Sequence, residues 1–225
     1  MERAGIPYIA EFDPDFSLRR RQLWMSDVGW KYPNDTLIFV DGWDTVLLGS
    51  LREFEKLKLE DGILVAGSKD CWPDPERESE YGYIKRPWGF VQNSPVAGLG
   101  KNSARAIDWG WQRLPILEDS KYMMSAGDAR FWTNLYLNSP FGIKIDSECR
   151  LCQIFYDTVP GELYMANRRV TNLVWGTKPL FLHANVRSVI PPALYDHLGV
   201  PLNLTRANYF NSDLREAPIA SSLPV

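Results

Sequence analysis

The run Thr36-Leu37-Ile38-Phe39-Val40 constrains the fold more than any other stretch of the chain. Its residues are apolar or β-branched with no alternation, the pattern of a strand covered on both faces, as in a parallel sheet flanked by helices. Such a sheet needs helical crossovers, and the neighbouring sequence offers them. Leu18 to Trp30 mixes basic and apolar residues at helical spacing until Tyr32-Pro33-Asn34-Asp35 breaks the pattern. Ser50 to Leu59 reads as a second helix: Ser50 and Glu53 have capping-box spacing, and Leu51, Phe54 and Leu57 share a face.

Short apolar runs at Ile63 to Ala66, Gly89 to Val91, Ile143 to Ile145, Leu151 to Phe155 and Leu180 to Leu182 predict further strands. Those at 143 and 151 are expected around a turn. Ser103 to Leu114 and Asp128 to Leu137 predict helices. Asp70 to Pro87, rich in Pro, Glu and Tyr, reads as an exposed loop at the carboxyl edge of the sheet. The expected fold is a Rossmann-like α/β sandwich with a mostly parallel central sheet, whose strand ends face one crevice. A length of 225 residues with 45% hydrophobic content predicts one domain over 1–225, with an irregular start over 1–17 and an irregular tail over 191–225.

Charge narrows the partners. With 25 basic against 28 acidic residues the chain has no basis for a long phosphate-tracking groove, so nucleic acid is not the expected partner. No run approaches the ~20 apolar residues of a membrane span, and the start MERAGIPYIAEFDPDF lacks the apolar core of a signal peptide. Cys149-Arg150-Leu151-Cys152 has CxxC spacing, but no second pair or nearby His completes a tetrahedral shell. These cysteines read as small buried side chains. The stretch Asn93 to Gly100 lacks both the GxGxxG and the GxxxxGK[ST] pattern, and no Gly-x-Ser-x-Gly elbow occurs.

Asp41 and Asp44 follow directly on the first apolar run. In a continuing strand they would face opposite sides of the sheet, whereas a turn at Gly42 brings both carboxylates round to one point. Two hard oxygen ligands there suit Mg²⁺ or Mn²⁺ bound also by a diphosphate. The same tetrapeptide also reads as an ordinary Asp-Gly turn with one capping carboxylate. His183 closes the apolar run Pro179-Leu180-Phe181-Leu182, in position to be a third ligand or a hydrogen-bonded structural histidine.

Taken in order, Ile38-Phe39-Val40-Asp41-Gly42-Trp43-Asp44-Thr45-Val46-Leu47, Cys71-Trp72-Pro73, Asn93-Ser94-Pro95-Val96 and His183-Ala184-Asn185-Val186 resemble the glycosyltransferase domain of the procollagen lysyl hydroxylases and related collagen glycosyltransferases. The resemblance runs from about Leu18 to Pro201. It implies a GT-A-type fold and transfer of a hexose from a UDP-sugar to a hydroxyl of a protein or glycan acceptor. It further implies that Asp41, Asp44 and His183 hold Mn²⁺ or Mg²⁺ and that Trp43 stacks on uracil. Asn93, Ser94 and Asp128 then line the donor-sugar and acceptor side, Asp128 orienting or activating the acceptor, while Trp72 walls the acceptor cleft and Asn185 lies toward the donor.

The chain departs from that pattern in several places. Ser125-Ala126-Gly127-Asp128 keeps one carboxylate where family members carry an acidic run, and Val186 and Val189 stand where they carry Gly and a phosphate-binding Lys. Arg187 is left as the implied phosphate partner. The family pattern also includes a strand and helix ahead of Leu18, so a shortened start or a partial donor site is expected. In a longer family-like protein the expected compartment is the lumen of the secretory pathway. Nothing in the chain matches the hydroxylase iron domain. The alternative to an enzyme is a catalytically impaired GT-A-like binding or scaffolding module.

Overall fold

The computed structural model describes residues 6–10, 17–42, 44–57, 59, 62–114, 124–155, 158–159, 161–167, 169–184, 188–189 and 215–216. In chain order the elements begin α1 (Leu18–Lys31), β1 (Thr36–Phe39), β2 (Thr45–Leu47), α2 (Leu51–Phe54), β3 (Ile63–Ser68), a 3₁₀ segment (Pro75–Tyr81) and β4 (Phe90–Leu99). They continue α3 (Gly100–Arg113), α4 (Met124–Asn138), β5 (Ile143–Asp146), β6 (Cys152–Ile154), β7 (Leu163–Ala166), β8 (Arg169–Asn172), β9 (Phe181–His183), β10 (Ser188–Val189) and β11 (Arg215–Glu216). The segments expected to be irregular, 1–17 and 191–225, lie outside the described residues apart from 6–10, Ser17 and β11. The chain's contacts define two units, one of Pro7–Asp41 with Leu57–Ser147, the other of Met1–Ile6, Gly42–Lys56 and Glu148–Val225.

The first unit holds a four-stranded sheet in the order β1-β4-β3-β5. Its architecture is mixed α/β, and the sheet corrects the expectation of mostly parallel strands: β4 runs antiparallel to both β1 and β3, and only β3 with β5 is parallel. The physical reason lies in β4. Its ten residues are almost all buried and insert between β1 and β3, where only a short strand at Gly89 to Val91 was expected. Opposite Val65 and Ala66 the register jumps from Val96 to Gln92, which puts Asn93, Ser94 and Pro95 in a bulge between the two paired stretches. Proline has no N–H to give to a ladder, so a bulge is the arrangement that lets the strand continue past Pro95.

The apolar run of β1 therefore marks a strand that pairs on one side only, its inner end closed by Phe39 against Trp24 with ring centroids 6.1 Å apart at 77°. Helix α1 is capped by Ser17, whose Oγ accepts from the N–H of Arg20 at 3.2 Å. It lies close on α3: a methyl group added at Gly29 would stand 2.6 Å from the carbonyl oxygen of Gly100 and 3.0 Å from the Cβ of Ala104. The core between helices and sheet is made by Met25, Ile63, Phe90, Val96, Ile107 and Trp132, among others. Within the expected loop of 70–87, the 3₁₀ segment buries Tyr81 against Phe90 and Tyr136.

The second unit holds a three-stranded sheet, β2-β9-β6, with β2 antiparallel and β6 parallel to β9, and a β7–β8 hairpin. Strands β5 and β6, expected around a turn, belong to different sheets. The capping box of α2 forms, the Ser50 N–H donating to Glu53 Oε2 at 2.9 Å, but the helix stops at Phe54 and not at Leu59. No residue of α2 is buried, so the packing that sustains a longer helix is missing. Cys149 and Cys152 are fully buried, as expected of small core side chains.

Candidate functional site

In the first unit the site residues gather around Asp128, near the start of α4. This carboxylate is 2% exposed and accepts three hydrogen bonds: from Arg21 at 2.6 Å, from Gln22 at 2.6 Å and from Asn93 at 2.7 Å. Burial pushes its pKa up and the nearby Asp41 adds to the push, while Arg21, Asn93 and Gln22 pull the other way. Arg21 reaches further, its second terminal nitrogen standing 2.8 Å from Oδ1 of Asp41. Asp41 is the outermost member, its side chain 30% exposed against 14% for Arg21. Its backbone N–H donates to Ser94 Oγ at 3.1 Å. The bulge in β4 thus supplies Asn93 to the Asp128 carboxylate and Ser94 to the Asp41 main chain, because a bulge re-aims the side chains it carries.

In the second unit Asp44 meets His183. Thr45 stands opposite His183 in the β2/β9 ladder, and the Ala184 N–H donates to the Asp44 carbonyl at 2.8 Å. His183 Nε2 lies 3.4 Å from Asp44 Oδ1. That oxygen is shut off from solvent and makes no hydrogen bond. A buried carboxylate oxygen without a donor is costly unless a cation or a proton meets it. With an imidazole nitrogen beside it, the donor set fits a divalent ion that accepts mixed oxygen and nitrogen ligands.

Sequence reasoning proposed ten site residues. The structure brings Asp41, Asn93, Ser94 and Asp128 into one polar network within the first unit, and Asp44 and His183 together within the second. Trp72 is half-buried between the buried Cys71 and Asp74, whose carboxylate pairs with Arg130 at 2.7 Å. Trp43, Asn185 and Arg187 lie outside the described residues. Sequence reasoning missed Arg21 and Gln22. Arg19-Arg20-Arg21 reads as a solvated helix face, and only the apolar neighbours of Arg21 at helical spacing could have turned attention to it.

Gly42 stands in a turn after β1. Its backbone does not enter the left-handed region, and a Cβ there would meet no atom within 4 Å, so the turn forms without requiring glycine.

Comparison with known proteins shows the family of the chain. Residues 24–191 match the PLOD GT domain. The chain is 26% identical over 161 residues to the multifunctional procollagen lysine hydroxylase and glycosyltransferase LH3 of Homo sapiens, covering 66% of this chain and 20% of that protein. The LH3 of Rattus norvegicus is 26% identical over 177 residues, covering 72% and 22% of the two chains. The procollagen-lysine,2-oxoglutarate 5-dioxygenase of Drosophila melanogaster is 26% identical over 165 residues, covering 68% and 21%. The matched region spans about one fifth of each relative's length. The match extends over most of the chain, and the protein belongs to the PLOD GT domain family, the glycosyltransferase domain of the lysyl hydroxylases.

Proposed function

We propose that this chain is a metal-dependent glycosyltransferase of GT-A type that transfers a hexose from a UDP-sugar to a hydroxyl of a protein or glycan acceptor. The observation that carries the reading is the buried Asp44 Oδ1 with no hydrogen bond, 3.4 Å from His183 Nε2, on a family background of glycosyl transfer. On this reading Asp41, Asp44 and His183 hold Mn²⁺ or Mg²⁺, Asp41 lying only three residues before Asp44 in the chain. When bound, the ion supplies Lewis-acid charge for the diphosphate of the leaving UDP. Trp43 stacks on uracil, Asn185 and Arg187 lie toward the donor, Asn93 and Ser94 line its sugar, and Trp72 walls the acceptor cleft. The family match runs through both units, which supports their acting as one domain.

Asp128 serves as a positioning group in this proposal. Three donors already occupy its oxygens and 2% exposure leaves little approach for an acceptor hydroxyl, so orienting Arg21 and Asn93 suits it better than accepting a proton. The test is release of UDP from a panel of UDP-hexoses, with and without Mn²⁺ and a procollagen-like peptide acceptor. Mn²⁺-dependent release that the acceptor stimulates supports the proposal, and no release with any sugar overturns it. Val186 and Val189 favour the second reading, a catalytically impaired binding module. Mn²⁺-dependent UDP binding without release would identify that module.

A further inference from the structure

A cavity of about 590 Å³ opens on the first unit, lined by Trp109, Arg113, Leu114, Asn134 and Asn138. Its volume lies in the range of about 300–1,000 Å³ that small-molecule sites occupy. Trp109 and Arg113 are four apart on α3, and Asn134 and Asn138 are four apart on α4, so each helix turns one pair of side chains to the same opening. Asn134 and Asn138 follow Asp128 by six and ten residues, roughly 9 and 15 Å along the helix axis, which separates the cavity from the polar network of Asp128.

The polar groups around the opening are fixed in direction. Arg77, itself held by Glu80 through hydrogen bonds of 2.9 and 2.8 Å, donates to Asn134 Oδ1 at 2.8 Å. A guanidinium only donates, so the amide oxygen faces Arg77 and the amide NH₂ is left over. Asn138 Nδ2 donates to the Asn134 carbonyl at 3.1 Å, which leaves Asn138 Oδ1 as an acceptor. Among the described residues the Arg113 guanidinium has no ion pair. It lies in the last turn of α3, where its charge offsets the negative helix end, and no carboxylate is among the described residues that line the cavity. The Trp109 ring is steadied by Phe141, with centroids 6.3 Å apart at 80°. A near-neutral site with donors and an acceptor beside an indole suits an uncharged polyhydroxylated ring, whose hydroxyls both donate and accept and whose C–H groups pack on the aromatic.

We propose that this cavity binds a neutral hexose residue of a glycan, as a second sugar site apart from the donor site. It uses neither the metal nor UDP, so it does not rest on the nucleotide-sugar reading above.

The experiment is titration of methyl glucoside, methyl galactoside and the anionic methyl glucuronide, followed by saturation-transfer NMR without metal. The chains are the wild type, Arg113→Ala, Asn138→Leu and the Asp41→Ala, Asp44→Ala double variant. Arg113 and Asn138 are exposed, so their replacement leaves the fold intact. The expected result is millimolar binding of at least one neutral hexoside, weakened at least about threefold in Arg113→Ala and in Asn138→Leu, unchanged in the double variant, with the glucuronide binding no tighter. No binding of either neutral hexoside, tighter binding of the glucuronide, or an affinity unchanged in both cavity variants overturns the proposal. A loss confined to the Asp41→Ala, Asp44→Ala double variant assigns the sugar to the donor site and overturns it as well.

Discussion

His183 places its Nε2 3.4 Å from Oδ1 of Asp44, and the main chain fixes the pair: Thr45 is the ladder partner of His183, and the Ala184 N–H donates to the Asp44 carbonyl at 2.8 Å. An acidic turn and the end of a buried strand, 139 positions apart in sequence by subtraction of 44 from 183, are thus held in register by backbone hydrogen bonds.

That pairing carries a stability cost which Asp44→Asn should relieve. The amide removes the negative charge from a carboxylate that is 26% exposed but has one oxygen shut off from solvent without a hydrogen bond. The metal-free variant is expected to gain about 1 kcal/mol, a rise in melting temperature of roughly 2–4 °C, while Mn²⁺ affinity falls at least about tenfold. Calorimetric melting in EDTA and Mn²⁺ titration measure the two effects. A lower melting temperature with unchanged Mn²⁺ affinity would contradict the ligand role of Asp44.

Asp128 should behave in the opposite way. Asp128→Asn keeps the shape but removes the anion facing Arg21, in a place that is 2% exposed. Urea denaturation is expected to show a loss of about 1 kcal/mol, because the hydrogen bonds to the carboxylate weaken while Arg21 keeps Asp41 at 2.8 Å. A variant as stable as the wild type would show that the Arg21 contact is dispensable.

Alkaline pH should weaken the first unit through Tyr81. Burial is the main cause that pushes its phenol up to about 12, although the Thr133 hydroxyl, 3.2 Å away, acts in the opposite sense. The folded chain therefore keeps a proton that the unfolded chain releases near pH 10. The associated stability is complete below about pH 10 and is lost as pH rises to about 12, on the order of 2 kcal/mol in all. Urea melts at pH 9 to 12 should show this fall, and Tyr81→Phe should flatten it. An equal fall in Tyr81→Phe would assign the effect to other groups.

Two glycines make a contrasting pair. Gly29→Ala drives a methyl group to 2.6 Å from the Gly100 carbonyl oxygen and should cost about 1–3 kcal/mol by parting α1 from α3. Gly42→Ala meets no atom within 4 Å and should change stability by no more than about 0.5 kcal/mol. Denaturation of the two variants side by side checks both, and a Gly42→Ala cost as large as that of Gly29→Ala would mean the metal turn needs glycine after all.

The parts of this protein that were legible in sequence are those with a local signature. Helix α1 follows from the helical spacing of its apolar residues, and the strand ends at Asp41 and His183 follow from apolar runs stopped by a polar residue. Strand β4 was not legible, because Asn93, Ser94, Pro95 and Gly98 are turn formers, and only the bulge opposite Val65 and Ala66 lets them stay in a strand. The β7–β8 hairpin escaped notice since its turn takes Asn167 at φ 51°, where a glycine usually advertises such a turn. The direction of β1 relative to its neighbours depends on that same insertion of β4, which no local pattern encodes. In the site, the acidic and imidazole groups were visible as residue types. Arg21 was hidden among three arginines whose partners are set by tertiary packing.

The central claim is a metal-dependent nucleotide site built on Asp41, Asp44 and His183. Calorimetric titration of UDP into the chain with and without Mn²⁺, beside the Asp41→Ala, Asp44→Ala double variant, tests it most directly. The account predicts UDP binding that requires Mn²⁺ and disappears in the double variant. UDP binding that is indifferent to Mn²⁺, or that survives the loss of both aspartates, would contradict it.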